Sequence, residues 1–292
     1  MSEANFLSDF AAQISMRYGA VTRARGCFLY TAKGVRLTDL YLDGGRAILG
    51  WGGAHSSAYT VLKNVLSRGI TGSYDTYFSP RSFALDPSGT QSQTARAVSD
   101  LLASRRGIFF FTSKQAALKV ALSLAPEGTS AYRPWNPAPT DWSSIPCVLI
   151  TPPLSWYSPY QILAVKCDSP QDEEKLAAFQ AESPTASILS EQVRVPAPLC
   201  AAITRSIRDL IRALQERREK DWFIFDKTLT KYWTRKGPYL FPKVSETRYR
   251  DFALHCLDCA LVVSPRYSQP SIVPYKADPG NFRKLSNTPF TF

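Results

Sequence analysis

Residues 25–55, RGCFLYTAKGVRLTDLYLDGGRAILGWGGAH, carry the densest structural information in this chain. Two short apolar runs, 27–30 and 37–42, flank the polar, glycine-bearing turn Ala32-Lys33-Gly34, which is the pattern of a β-hairpin. Gly44, Gly45, Gly50, Gly52 and Gly53 then place five glycines in ten residues. Glycines crowd in this way where backbone bends sharply or approaches something closely, because a side chain would obstruct either.

Around that stretch the chain has the composition of a globular protein. Its 292 residues are 45% hydrophobic and 20% charged, enough to bury one large domain or two modest ones. No run approaches the ~18–20 apolar residues of a membrane span, and the start MSEANFLSDF lacks the basic and apolar regions of a signal peptide, so a cytoplasmic location with no membrane partner is expected. Six scattered cysteines fit reduced thiols better than a disulfide framework. The net charge of +11 directs attention to acidic partners, either phosphorylated metabolites or nucleic acid.

Hydrophobic periodicity predicts helices over 4–18, 58–68 (stopped by Gly69), 94–104 and 116–124. Strands are expected at 108–111, 147–151 and 161–167, and a long aromatic-rich loop at 70–92 reads as a contact segment. Residues 168–184 read as a solvated acidic connector with a short helix. From Pro196 the longest helical stripe begins (Leu199, Ile203, Ile207, Leu210, Ile211, Leu214) and is read as continuing through Trp222, Phe225, Leu229 and Trp233. Arg205, Arg208, Arg212, Arg217, Arg218 and Lys220 are expected largely on its outer face. Beyond Gly237-Pro238 come a strand at 239–241, a helix at 245–258 and strands at 261–264 and 271–274.

Thr112, Ser113, Lys114 and Gln115 join the strand at 108–111 to the next helix. A strand, a short polar turn and a helix N-terminus suit an anion, because free N–H groups and the helix dipole converge there. The plainer alternative is that Thr112 or Ser113 caps the helix while Lys114 points to solvent.

The order Gly26, Tyr30, Gly34, Arg36, Asp39, Leu49, Gly50 and His55 resembles the entry to class III aminotransferases and glutamate-1-semialdehyde aminomutases, the pyridoxal-phosphate (PLP) transferases of fold type I. Residues 196–290 resemble the small C-terminal domain of the same family. The resemblance implies an α/β fold with a reduced large domain (1–195), a small α+β domain (196–292), and a homodimer. It also implies that the turn Thr112–Gln115 corresponds to the PLP-phosphate turn, with Lys114 where the family has glycine.

PLP chemistry needs a lysine to hold the cofactor and an acid to keep the pyridine nitrogen protonated. Neither family motif occurs between the turn and residue 196. Lys166, ending the strand at 161–167, is the substitute lysine best placed by sequence, and Asp226 in the run Phe223-Ile224-Phe225-Asp226 superficially imitates the acid. The expectation is therefore an aminotransferase-like binding or regulatory homodimer without bound PLP, taking a small phosphorylated or anionic metabolite. The alternative is an active aminotransferase or aminomutase using Lys166. A zinc site at His255, Cys256 and Cys259 lacks a second ligand pair, and a cysteine nucleophile paired with His55 has nothing to position it. Nucleic-acid binding by the arginine helix is disfavoured, because Glu216 and Glu219 interrupt the basic face and no aromatic platform accompanies it.

Overall fold

A strand that is apolar along its whole length is stable only when both its faces are covered. The computed structural model describes residues 3–72, 74, 76, 78, 92–136, 141–157, 159–169, 171–172 and 192–291. Most of the aromatic loop at 70–92 and of the acidic connector at 168–184 lies outside them. The chain forms two compact units: Ser56–Pro134 with Ala138–Arg212, and Met1–His55 with Trp135–Pro137 and Ala213–Phe292.

The first of these contains helices α2 (Ala58–Ser67), α3 (Gln93–Leu102) and α4 (Lys114–Leu124), with strands β4 (Arg106–Phe111), β5 (Thr129–Ala131), β6 (Cys147–Ile150) and β7 (Gln161–Lys166). The sheet order is β4-β7-β6-β5, with β7 antiparallel to both neighbours and β5 parallel to β6. All six residues of β4 are buried. Ile108 and Phe110 face one way, towards Val98 and Leu102 of α3 and towards Leu199, Ile203 and Ile207 of α5 (Ala197–Glu216). Phe109 and Phe111 face the other way, onto Ala117, Val120 and Ala121 of α4. The two-residue alternation of the strand thus meets helices on both sides, and the apolar stripe of α5 belongs to this unit as far as Arg212. Strand β5 has no apolar signature in the sequence and forms by pairing with β6.

The base of this sheet is fixed by Arg106, a fully buried arginine. Its guanidinium donates to the carbonyl oxygens of Trp142 (2.6 Å), Ile145 (2.6 Å) and Pro146 (3.2 Å). Burial lowers its pKa by stripping bulk water from the cation, and the three carbonyl oxygens stand in for that water. Asp209 plays a related part on α5, accepting from Ser57 N (2.8 Å) and Ser56 Oγ (3.2 Å) at the start of α2.

The other unit is built from α1 (Glu3–Tyr18), β1 (Val21–Arg25), β2 (Phe28–Thr31) and β3 (Arg36–Asp39). It continues after α5 with α6 (Lys220–Phe223), α7 (Asp226–Leu229), β8 (Trp233–Lys236), β9 (Tyr239–Pro242), α8 (Glu246–Asp258), β10 (Leu261–Val262), β11 (Ser271–Ile272) and α9 (Arg283–Asn287). One sheet has the order β1-β2-β3-β10 and a second the order β11-β9-β8. The hairpin read at 27–42 is present, with Leu29 opposite Leu37 and Gly34 in the left-handed region at φ +75°. It ends sooner than expected, because Leu42 and Asp43 adopt positive φ and lead into a 3-10 turn.

The helical stripe does not extend to Trp233. Two single-turn helices cover Trp222, Phe225 and Leu229, and Trp233 begins a strand whose hairpin turns at Gly237. Core-facing residues four apart in short helical turns extend by coincidence to the first inward residue of that strand. Arg217 likewise departs from the outward position read for it: it follows α5 and is buried at 4% exposure. Among the described residues no helix is long and apolar enough to cross a membrane.

Two of the crowded glycines, Gly50 and Gly52, are explained by close packing against Gly26 and the end of β1. Gly26 and Trp51 exchange two backbone hydrogen bonds of 3.0 and 2.8 Å. A Cβ on Gly52, at φ +63°, would lie 2.8 Å from the Ala24 carbonyl oxygen. Asp39 holds this turn from inside: Oδ1 accepts from Tyr41 N (2.8 Å) and Leu42 N (2.9 Å), and Oδ2 from the Trp51 indole N–H (2.8 Å). Burial pushes its pKa from 3.8 up to about 6, while the three hydrogen bonds oppose the rise.

Two outcomes are expected. Because Asp39 binds its proton more tightly when folded, its contribution favours the folded state below pH ~4 and is lost as pH rises through about 6. Wild type should therefore gain on the order of 2–3 kcal/mol relative to Asp39→Asn between pH 7 and 4, measured by denaturant unfolding at each pH. An Arg106→Met change strands three buried carbonyls and should cost about 3 kcal/mol or more, read as a lowered unfolding midpoint.

Candidate functional site

The turn between β4 and α4 is the expected strand, turn and helix N-terminus. Ser113 is the N-cap, in extended conformation, and its Oγ accepts from Ala116 N at 3.3 Å. Thr112, Lys114 and Gln115 are exposed, with Lys114 as the first helical residue. The hydroxyl considered for an anion is therefore engaged by its own helix, while the Lys114 ammonium remains in solvent.

Strand register settles what shares this end of the sheet. Phe111 pairs with Gln161, and Ile150 with Ile162, so the turn lies at the same end as the segment leaving β6. That segment is TPPLSWY: Pro152, Pro153 and Leu154 are buried, and Thr151 Oγ1 donates to Gln161 Oε1 at 2.9 Å. Tyr59 donates to the Ser155 carbonyl oxygen at 2.7 Å. From 151 to 157 the segment holds no lysine, no acid and no histidine.

Lys166 sits at the opposite end of the sheet. It pairs in register with Arg106, five residue steps of β4 from Phe111, which is on the order of 17 Å. Its ammonium lies 3.3 Å from Asp168, a half-exposed partner. The structure therefore does not bring Lys166 together with Thr112, Ser113, Lys114 and Gln115.

Nor is an unengaged buried carboxylate left for the turn among the described residues. Among the described residues of this unit the one buried carboxylate is Asp209, already engaged by Ser56, Ser57, Arg205 (3.1 Å) and Arg212 (2.7 Å). Asp226 lies in the other unit and is clasped bidentately by Arg235 at 2.6 and 2.9 Å. PLP catalysis needs a lysine and an acid converging on one ring. Among the described residues Lys114 is the lysine at the turn, with its ammonium in solvent, and the one buried carboxylate of this unit is engaged elsewhere, so these residues do not assemble the pair.

The remaining constellations have structural partners. All six cysteines are free and buried, and burial pushes Cys27, Cys147 and Cys200 up to about 11, so these thiols stay protonated and unreactive. His55 packs edge-on to Tyr275 at 5.4 Å, and burial with the nearby Lys276 and Arg217 charges lowers its pKa. His255 Nε2 contacts the Thr288 carbonyl oxygen at 2.8 Å, and no metal-capable cluster of three exists among the described residues.

Arg217 is the residue that sequence reasoning misplaced most. Its guanidinium donates to the Ile48 carbonyl oxygen at 3.0 Å and is stacked between Tyr275 (4.0 Å) and Trp135 (5.1 Å). Burial lowers its pKa to about 10. The proximity of an arginine to the glycine-rich turn had no local signal, because residues 48, 135, 217 and 275 are remote in sequence.

No protein-family profile matches the chain. A curated protein of Treponema pallidum (strain Nichols), described as uncharacterized, is 27% identical over 302 residues, covering 92% of this chain and 93% of its own. Among solved structures, ornithine aminotransferase from Plasmodium yoelii superposes with a TM-score of 0.58 at 12% identity, covering 98% of this chain and 97% of its own. Acetylornithine aminotransferase from Elizabethkingia anophelis gives 0.58 at 11% identity, covering 96% and 97%. A Toxoplasma gondii ornithine aminotransferase with PLP at partial occupancy gives 0.61 at 10% identity, covering 98% and 93%. At these identities the likeness establishes architecture: the chain has the mixed α/β fold of the class III aminotransferases, fold type I among PLP-dependent transferases.

Proposed function

We propose that this chain is a binding or regulatory protein that uses the aminotransferase fold without transaminase chemistry, acts as a homodimer, and takes a small phosphorylated or anionic metabolite at the turn Thr112–Gln115. The observation that carries this reading is the β4–β7 register, which separates Lys166 from the turn by the length of the sheet. The buried Pro152-Pro153-Leu154 segment at the near end supports it, because apolar side chains stand where reactive groups would have to converge. The homodimer follows from the fold's resemblance to enzymes completed by a second subunit, and sedimentation velocity tests it.

The deciding experiment is a visible spectrum of purified protein after incubation with PLP, followed by borohydride reduction and peptide mass analysis. The expected result is no lysine-bound chromophore and no reduced pyridoxyl-lysine. A pyridoxyl group fixed to Lys166 would overturn the proposal in favour of an active aminotransferase or aminomutase. A group fixed to any other lysine would overturn it equally.

The ligand side has its own measurement. A charge-assisted contact from the Lys114 ammonium contributes about 1.5–3 kcal/mol. Lys114→Ala should therefore weaken inorganic phosphate binding by roughly ten-fold or more in calorimetry at fixed salt. Equal affinities in the two proteins would leave the turn a helix cap and nothing more.

A further inference from the structure

The outer face of β1, β2 and β3 combines two features that the arginine face of α5 does not, unneutralised cations and aromatic rings. Along β2, Leu29 and Thr31 are buried, while Phe28 and Tyr30 are half-buried on the opposite side, where Phe28 also packs against the core beside the buried Thr38. Register places Arg23 of β1 and Arg36 of β3 directly across from Tyr30 on either side, and Arg25 across from Phe28. In strand pairs opposite residues share a face, so these five side chains form one surface. The cations already lie against the rings: the Arg23 guanidinium carbon is 5.3 Å from the Tyr30 centroid, and that of Arg36 is 4.5 Å from the Phe28 centroid.

These arginines are exposed and none forms an ion pair with another described residue; the polar side-chain contact of Arg36 is a 3.3 Å hydrogen bond to Asn281 Oδ1. The contrast with α5 is chemical. There Arg205 and Arg212 are neutralised by Asp209, and Arg208 lies 3.9 Å from Asp100. Unneutralised guanidinium groups on a sheet face in a chain of net charge +11 call for an anionic partner. Two aromatic rings on alternate residues of one strand add the second requirement, a stacking surface. They are spaced ~7 Å apart along the strand, about twice the 3.4 Å rise of stacked nucleotides, so they suit bases that are splayed apart.

We propose that this face binds single-stranded nucleic acid, with Arg23, Arg25 and Arg36 contacting phosphates and Tyr30 and Phe28 offering rings or ring-borne guanidinium planes to bases. A folded duplex hides its base faces and would use the arginines alone. An acidic peptide would likewise satisfy the charge and leave the rings unused.

The test is fluorescence anisotropy of a labelled oligothymidine with the full-length protein, across a salt series, with unlabelled heparin and polyglutamate as competitors. Each phosphate contact contributes a log–log salt slope of about −0.7 for a single strand. The double variant Arg23→Ser/Arg36→Ser should lower the magnitude of the slope by ~1–1.5 and weaken binding. Tyr30→Val, which keeps a strand-forming residue, should weaken binding about five-fold or more with the slope unchanged, and Tyr30→Phe should restore it. Lys63→Ser/Arg68→Ser, a matching two-charge change on α2 and its C-cap, should leave affinity as in wild type. Absence of saturable binding, equal binding by wild type and a folded Tyr30→Val, or no effect of the arginine double variant would each overturn the proposal. So would polyglutamate or heparin binding as tightly as the oligonucleotide with the same response to Tyr30→Val. If Tyr30→Val does not fold, the arginine variant's salt slope decides alone.

Discussion

The double-sided burial of β4 governs what this protein can do. Six consecutive buried residues, with aromatic rings passing to helices on both faces, exclude water from the whole length of the strand. Unpaired charge is too costly inside such a layer, so chemistry is confined to strand ends. Arg106 shows the rule from one end, where a cation is tolerated because three carbonyl oxygens surround it. At the other end lie Thr112, Ser113 and the proline pair, polar or apolar, and none of these is a buried ionisable group. Lys166 belongs to the first end, and no rearrangement of its side chain spans the strand.

The other unit is organised by groups that satisfy backbone rather than substrate. Asp39 gathers two backbone N–H groups and one indole N–H, and Arg217 takes the Ile48 carbonyl oxygen between two aromatic rings. Both brace the glycine-rich turn, one near its start and one near its middle. A carboxylate with all its bonds engaged, and a guanidinium nearly free of solvent, read as functional candidates when charge alone is considered. Their partners make them structural.

The same accounting separates the basic residues into two populations. Arginines on α5 and at Arg235 and Arg250 have carboxylate partners, including Asp209, Asp226 and Asp9. Arg23 and Arg36 on the outer face of β1–β3 meet rings instead. A cation over a ring keeps most of its charge available, whereas one in an ion pair does not. Net charge counts both populations alike, and only the partners distinguish them.

Local sequence determined the parts whose physics is local. The hairpin around Gly34, the helices expected at 58–68, 94–104 and 116–124, and the strand expected at 108–111 are present within two residues at each end, since periodicity, turn residues and caps act over a few residues. The motif order within 25–55 anticipated the aminotransferase fold that the superpositions show. Tertiary structure decided the rest. β5 exists because β6 offers it backbone partners, and Trp233 is in a strand because of its pairing with Pro242. The sequence reading divided the chain at residue 195, where the helical stripe begins, whereas packing divides it after Arg212, where α5 leaves the cluster around the sheet. Lys166 is the clearest instance. A lysine ending an apolar strand looks the same in sequence whichever way that strand runs, and only antiparallel pairing with β4 sets it at the far end from the turn.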